Sequence, residues 1–162
     1  MNRIQAAIGS TLFFFLAPGT VAGVVPYLIT QWRLPPVSAW TFAGAALTLI
    51  AFAMLIECFA RFALKGLGTP APIAPTQHLV VTGLYRFVRN PMYVAVLGLI
   101  FGQALLFQST MLAAYGATMW VIFHTFVYFY EEPTLRRSFG DAYEAYCKGV
   151  PRWLPRLTPW TP

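Results

Sequence analysis

The stretch NPMYVAVLGLIFGQALLFQSTMLAAYGATMWVIFHTFVYFY, residues 90–130, contains no Asp, Glu, Lys or Arg. A helix crosses a hydrocarbon core with about 20 apolar residues, so this run is long enough to cross twice. Gln108-Ser109-Thr110 interrupts it at the middle, where a helical hairpin turns. The expectation is a pair of spans, 91–108 and 111–130.

The same pattern extends towards the N-terminus. No Asp, Glu, Lys or Arg lies between Arg3 and Arg33, which gives a span over about 4–30. Pro18-Gly19 and Pro26 fall inside it and predict a kinked helix. The opening has the basic start of a secretory signal, but its apolar stretch continues to Ile29, longer than a signal core of roughly 7–15 residues. Arg33-Leu34-Pro35-Pro36 makes a tight connection to a second uncharged run, a span over about 37–60 that ends near Glu57 and Arg61. Gly66, Gly68, Pro70, Pro72 and Pro75 then rule out a regular helix and mark a loop over 61–90.

Beyond Glu131-Glu132 the chain turns polar, a segment over 131–162. Leu135, Phe139, Ala142, Tyr143 and Tyr146 recur at helical spacing and predict an amphipathic helix against the membrane or the bundle. Trp153 and Trp160 suit the membrane interface. The fold class is therefore all-α, a helical membrane bundle of about four spans forming one domain over 1–162. Composition agrees: 58% hydrophobic and 10% charged residues are too apolar and too poorly charged for a soluble core, where about a quarter are charged.

Four spans put Arg3, Arg61, Lys65, Arg86, Arg89, Arg136, Arg137, Lys148, Arg152 and Arg156 on one side and only Arg33 on the other. This bias orients both termini and the loop to the cytoplasm. The net charge of +6 thus points to anionic lipid headgroups rather than nucleic acid. Cys58 and Cys147 fit no disulfide framework, and two cysteines with no CxxC and two histidines fit no zinc site; no metal is expected.

The polar residues of the second half converge on one membrane face. Asn90-Pro91 opens a helix with a favoured N-cap and a favoured first residue. The amides of that helix start, with Arg89, form a place for a carboxylate or phosphate; plain capping is the alternative. At 100° per residue His124, Tyr128 and Glu131 share one face of the fourth span, with Glu132 one step round. Ionisable groups at a span tend to face a cavity, and the alternative is a solvated helix end. Gly98 and Gly102 allow close helix approach. Gln103 and Gln108 are expected to bond across helices or meet the interface.

Two segments carry a resemblance, HLVVTGLYRFVRNPMY over 78–93 and EEPTLRRSFGDAYEAYCKGVP over 131–151. Their order and hairpin-length spacer resemble the isoprenylcysteine carboxyl methyltransferase and phospholipid methyltransferase superfamily. The loop sequence GTPAPIAP resembles its bacterial members, which implies a multi-pass protein of a bacterial inner membrane. The resemblance implies S-adenosylmethionine as cofactor and an apolar or lipid-like methyl acceptor as partner, beside the membrane lipids.

It also implies a cofactor site made of His78, Leu79, Val80, Gly83, Tyr85, Arg89, Asn90, Pro91, Tyr93 and Glu131. Arg89 lies near the cofactor carboxylate in this reading, Glu131 binds its ammonium and Glu132 supports the site. A helix start with Arg89, a carboxylate pair and aromatic rings complement a carboxylate, an ammonium and a sulfonium in turn. Arg89, Glu132, His124 and Tyr128 are the candidate catalytic residues, the last three as possible bases for an amine acceptor.

The pattern departs from the family at three places: Asn90 replaces a histidine, Ala95 a glycine, and Val127 an arginine that meets the substrate carboxylate in isoprenylcysteine enzymes. Membrane sterol reductases that use NADPH share a similar segment but carry an acid where this chain has Ala95. A non-enzymatic membrane scaffold is the third reading, one in which the motifs only cap helices.

Overall fold

The computed structural model describes residues 11–61 and 79–161. Five helices account for most of them: α1 Thr11–Thr30, α2 Ala39–Arg61, α3 Pro91–Leu106, α4 Thr110–Phe126 and α5 Glu132–Gly149. The protein is an all-α membrane bundle. Helical segments Thr11–Thr30, Ala39–Arg61 and Thr110–Gly149 are long and apolar enough to cross a bilayer. The third expected span is shorter than its sequence run. α3 has 16 residues, about 24 Å at 1.5 Å per residue. Its apolarity serves packing as much as lipid: Ala95, Val96, Leu99, Ile100 and Ala104 are all buried within the bundle.

Small residues set the α2–α3 contact, the most extensive among the described residues. A Cβ on Gly44 would strike the backbone of Gly102 and Leu106, and a Cβ on Gly102 would lie 2.8 Å from Thr48 N. Gly98 approaches Ala51 in the same way, at 2.9 Å. With glycine at these three places the two backbones meet directly, and Ala51, Leu55 and Phe59 close on Ala95, Leu99 and Ile100.

The expected kink in α1 takes a specific form. Thr20–Val24 is a π-turn that ends two residues before Pro26. Pro26 has no N–H and its ring crowds the carbonyl four residues back, that of Ala22. The wider turn relieves this, with Val25 N–H bonding Thr20 O, and leaves Val21 O and Ala22 O without helical partners. Both are filled from other helices: Gln103 Nε2 donates to Ala22 O at 2.8 Å and Tyr115 OH to Val21 O at 2.9 Å. An unfilled carbonyl in the bilayer would cost several kcal/mol. Gln103 is thus a cross-helix bond, while Gln108 donates to Ser38 Oγ at 3.0 Å across the opposite turn.

The same device recurs at the other end of the chain. Val127–Glu131 is a second π-turn, again two residues before a proline, Pro133. The helix therefore does not stop at Tyr130, as the change to polar sequence suggested; α4 runs through this turn into α5. α5 then breaks at Gly140, whose φ of 51° and ψ of −127° lie outside the helical region. That break changes which residues face inward: Tyr143 and Tyr146 are buried, but Ala142, expected on the same face, is exposed.

A second apolar cluster forms there, from Tyr143, Tyr146 and Val150 with Leu79, Val81, Leu135, Phe139 and Trp160 around them. The C-terminal tail does not lie loosely at the interface. Arg89 N–H bonds Pro151 O, Arg156 N–H bonds Phe87 O and Trp160 N–H bonds Arg86 O, each at 2.9 Å. Tyr146 OH donates to Tyr85 O at 2.6 Å. The tail thus straps the 85–90 segment into place ahead of α3.

Candidate functional site at the start of α3 and the end of α4

The π-turn before Pro133 decides where the acid pair points. In an unbroken helix Glu131 continues the stripe of His124 and Tyr128. A π-turn holds one residue more per turn, so the register slips by about one residue, roughly 100°. Glu132 takes the place on the stripe, and Glu131 swings towards α3. Tyr93 OH donates to Glu131 Oε2 at 2.9 Å, and Arg152, which lies 5.4 Å over the Tyr128 ring, binds Glu132. The expected face of His124, Tyr128 and Glu131 is therefore corrected to His124, Tyr128 and Glu132.

Glu132 is the centre of the site and is 2% exposed. Arg152 grips it with two bonds, Nε to Oε1 at 2.6 Å and Nη2 to Oε2 at 3.0 Å. Arg89 Nη2 lies 3.3 Å from Oε1, and Arg136 Nη2 3.6 Å from Oε2. This is no solvated helix end. The bond to Glu132 holds the Arg152 guanidinium above its usual pKa, against a smaller effect of burial. Three arginines thus surround Glu132, and Arg136 also pairs with Glu144 at 2.7 Å.

Asn90 stands at the N-cap position and Pro91 at the first turn, as the sequence suggested, but the side chain of Asn90 does not cap α3. Its Nδ2 donates instead to Arg152 O at 3.1 Å. The tail competes for that side chain and wins it. The first-turn amides of α3 consequently lack a side-chain cap. Beside them Arg89 donates through Nη1 to Cys147 Sγ, while its Nε is buried with no hydrogen-bond partner among the described residues. The burial of Tyr146 beneath this corner pushes its phenol above the usual range, with Arg89 pulling the other way.

The structure therefore brings Arg89, Asn90, Pro91, Tyr93, Glu131 and Glu132 together. Tyr85 borders this group, its phenol within electrostatic reach of Glu131 and Tyr93; the remaining residues implied by the resemblance make other contacts. Leu79 packs in the second apolar cluster. Gly83 has a φ of 61°, and a Cβ there would strike the Glu57 and Arg61 side chains of α2. Tyr85 is buried and hydrogen-bonds Cys58 of the same helix. Val80 is half-buried, and His78 lies outside the described residues. His124 stacks on both Tyr128 and Trp153.

Arg152 and Trp153 were missed by sequence reasoning as site residues. Arg152 is one of ten bases that the sequence reading puts on one side, and only the folded tail distinguishes it from the rest. Among the described residues no group of three or more His, Cys, Asp or Glu could hold a metal ion.

A bundle of apolar helices with a buried acid, its guanidinium partners and a ring-lined carboxylate at one end is an integral membrane protein with a polar site at the end of its apolar helices. The phospholipid methyltransferase family model matches residues 40–142, and the chain belongs to that family. It is 39% identical over 84 residues to a protein-S-isoprenylcysteine O-methyltransferase of Schizosaccharomyces pombe. That match covers 49% of this chain and 34% of the relative, so it takes in about a third of the relative's length. No solved structure matches the chain significantly.

Proposed function

We propose that this protein transfers methyl groups from S-adenosylmethionine to an apolar or lipid-like acceptor at the cytoplasmic face of a bacterial inner membrane, with both termini in the cytoplasm. Family membership supports the reaction class, and ten bases against one support the orientation. The observation that carries the reading is the meeting of Tyr93 with Glu131 beside the pairing of Arg89 with Glu132. Two segments about 40 residues apart in sequence form one corner.

The residues of that corner fit the cofactor. Glu131 has one oxygen bonded to Tyr93 and no partner for Oε1 among the described residues, which suits an ammonium. The orphaned Arg89 Nε and the uncapped start of α3 suit a carboxylate. When bound, S-adenosylmethionine supplies a methyl group activated by its sulfonium. Tyr93 orients Glu131, and Glu132 fixes Arg89 and Arg152 as a unit. With its carboxylate oxygens held by guanidinium groups, Glu132 positions the site. Rate comes from alignment of acceptor and donor in a site that excludes water.

Titration calorimetry with S-adenosylhomocysteine tests this. Wild-type protein binds and Glu131→Gln binds at least about tenfold more weakly, the loss of one charge-assisted contact; unchanged affinity in Glu131→Gln would refute the assignment. NADPH gives no heat. Radiolabelled S-adenosylmethionine, offered with lipid extract, prenylated thiols, small thiols and amines, then identifies the acceptor.

A further inference from the structure

Beside the proposed cofactor corner a ladder of rings, to which the methyl-transfer reading gives no role, runs to Arg152. His124 stacks on Tyr128 at 6.4 Å with an interplanar angle of 8°, and on Trp153 at 5.9 Å. Trp120 lies 5.4 Å from the same imidazole, its ring tilted by 32°. Trp153 Nε1 is 3.1 Å from His124 Nδ1. An indole N–H only donates, so Nδ1 must be the acceptor, and the neutral imidazole carries its proton on Nε2. This Nε2–H has no partner among the described residues. The Arg152 guanidinium spends Nε and Nη2 on Glu132 and keeps Nη1 for another partner.

We infer that His124, its proton fixed on Nε2 by Trp153, is the hydrogen-bond donor that seats the carboxylate or phosphate head of an amphiphilic methyl acceptor beside Arg152. His124 stacks on Tyr128 and Arg152 lies 5.4 Å over the Tyr128 ring, so the three donor groups belong to one continuous stack, and Glu132, the acid that Arg152 binds, is also paired with Arg89. Exposed Val121 and Phe129 beside the stripe offer apolar surface to a hydrocarbon tail. The same geometry removes His124 as a general base: taking a proton at Nδ1 would break the Trp153 bond. As a specificity residue it acts on acceptor binding, not on the chemical step.

This inference rests on the methyl-transfer reading only for its kinetic arm. The first experiment needs no turnover. Full-length protein with ¹⁵N-labelled histidine is placed in nanodiscs, with His78→Gln assigning the two side chains. The expected spectrum shows His124 protonated at Nε2, and Trp153→Phe mixes the tautomers. Dodecanoate and dodecyl phosphate shift the Nε2 resonance, and dodecyltrimethylammonium does not; the stronger of the two anions tells carboxylate from phosphate.

For kinetics the acceptors are an N-acetyl-S-prenylcysteine and phosphatidylethanolamine vesicles. His124→Phe raises the acceptor KM about tenfold, the value of one lost hydrogen bond, with kcat and S-adenosylhomocysteine affinity unchanged. His124→Gln, which keeps a donor near Nε2, stays near wild type. A proton on Nδ1, no response to either anion, or a fall in kcat at constant KM overturns the inference. Anion shifts in a protein that transfers no methyl group would leave this site standing and remove the proposed function.

Discussion

Replacing Glu132 by Gln keeps the shape of the side chain and removes its charge. The carboxylate is 3% exposed and Arg89 is 10% exposed, so the arginine is left charged, enclosed and without a counter-ion. Removing one member of a buried pair costs about 3–5 kcal/mol. At about 2–4 °C per kcal/mol for a chain of this size, the melting temperature falls by roughly 6–20 °C, read by intrinsic tryptophan fluorescence on heating in detergent. The three arginines should not matter equally. Arg152 is 26% exposed and makes two short bonds, whereas Arg136 is 44% exposed and 3.6 Å away. Arg136→Ala therefore costs less than about 1 kcal/mol, as exposed pairs do, and Arg152→Met falls between it and Glu132→Gln. Because Glu132 and Arg152 share one interaction, the double variant costs less than the sum of the singles. A Glu132→Gln protein that melts with wild type, or an Arg136→Ala protein that melts as early as Arg152→Met, would refute this ordering.

Three further outcomes are expected. Gln103→Leu strips Ala22 O of its donor and costs about 1–3 kcal/mol in the same melting assay; Pro26→Ala, which restores a backbone N–H, reduces that cost. Gly102→Ala forces a Cβ to 2.8 Å from Thr48 N and costs about 1–3 kcal/mol through overpacking, with loss of folded yield as the readout. Stability declines as pH rises past 10, the ordinary pKa of a tyrosine phenol. Burial first of all pushes Tyr85, Tyr143 and Tyr146 above that value, so the unfolded chain releases protons that the folded chain retains. Each contributes up to about 1.4 kcal/mol per pH unit, followed by denaturant titration between pH 9 and 11.

The long uncharged runs made the helical bundle legible, because a bilayer admits helices only where side chains are apolar and backbone groups bond within the segment. The prolines marked the kinks, but not their form. A proline only removes a donor; whether the chain bends, opens a π-turn or borrows Gln103 and Tyr115 depends on which helices stand beside it. The acid pair was visible as chemistry in the wrong place, since Pro133 shifted the register that an ideal helix assigns to Glu131 and Glu132. Asn90 was legible as a cap position and illegible as a bond to Arg152 O, a partner 62 residues away.

Hydropathy and charge are local properties, and they alone specified the membrane, the number of long apolar runs and the basic side. Everything that makes the corner a site is a contact between distant segments: Tyr93 with Glu131, Arg89 and Arg152 with Glu132, Trp153 with His124. Those contacts depend on angles that accumulate along a helix, where one added residue per π-turn rotates all that follows. Only the folded chain fixes that sum.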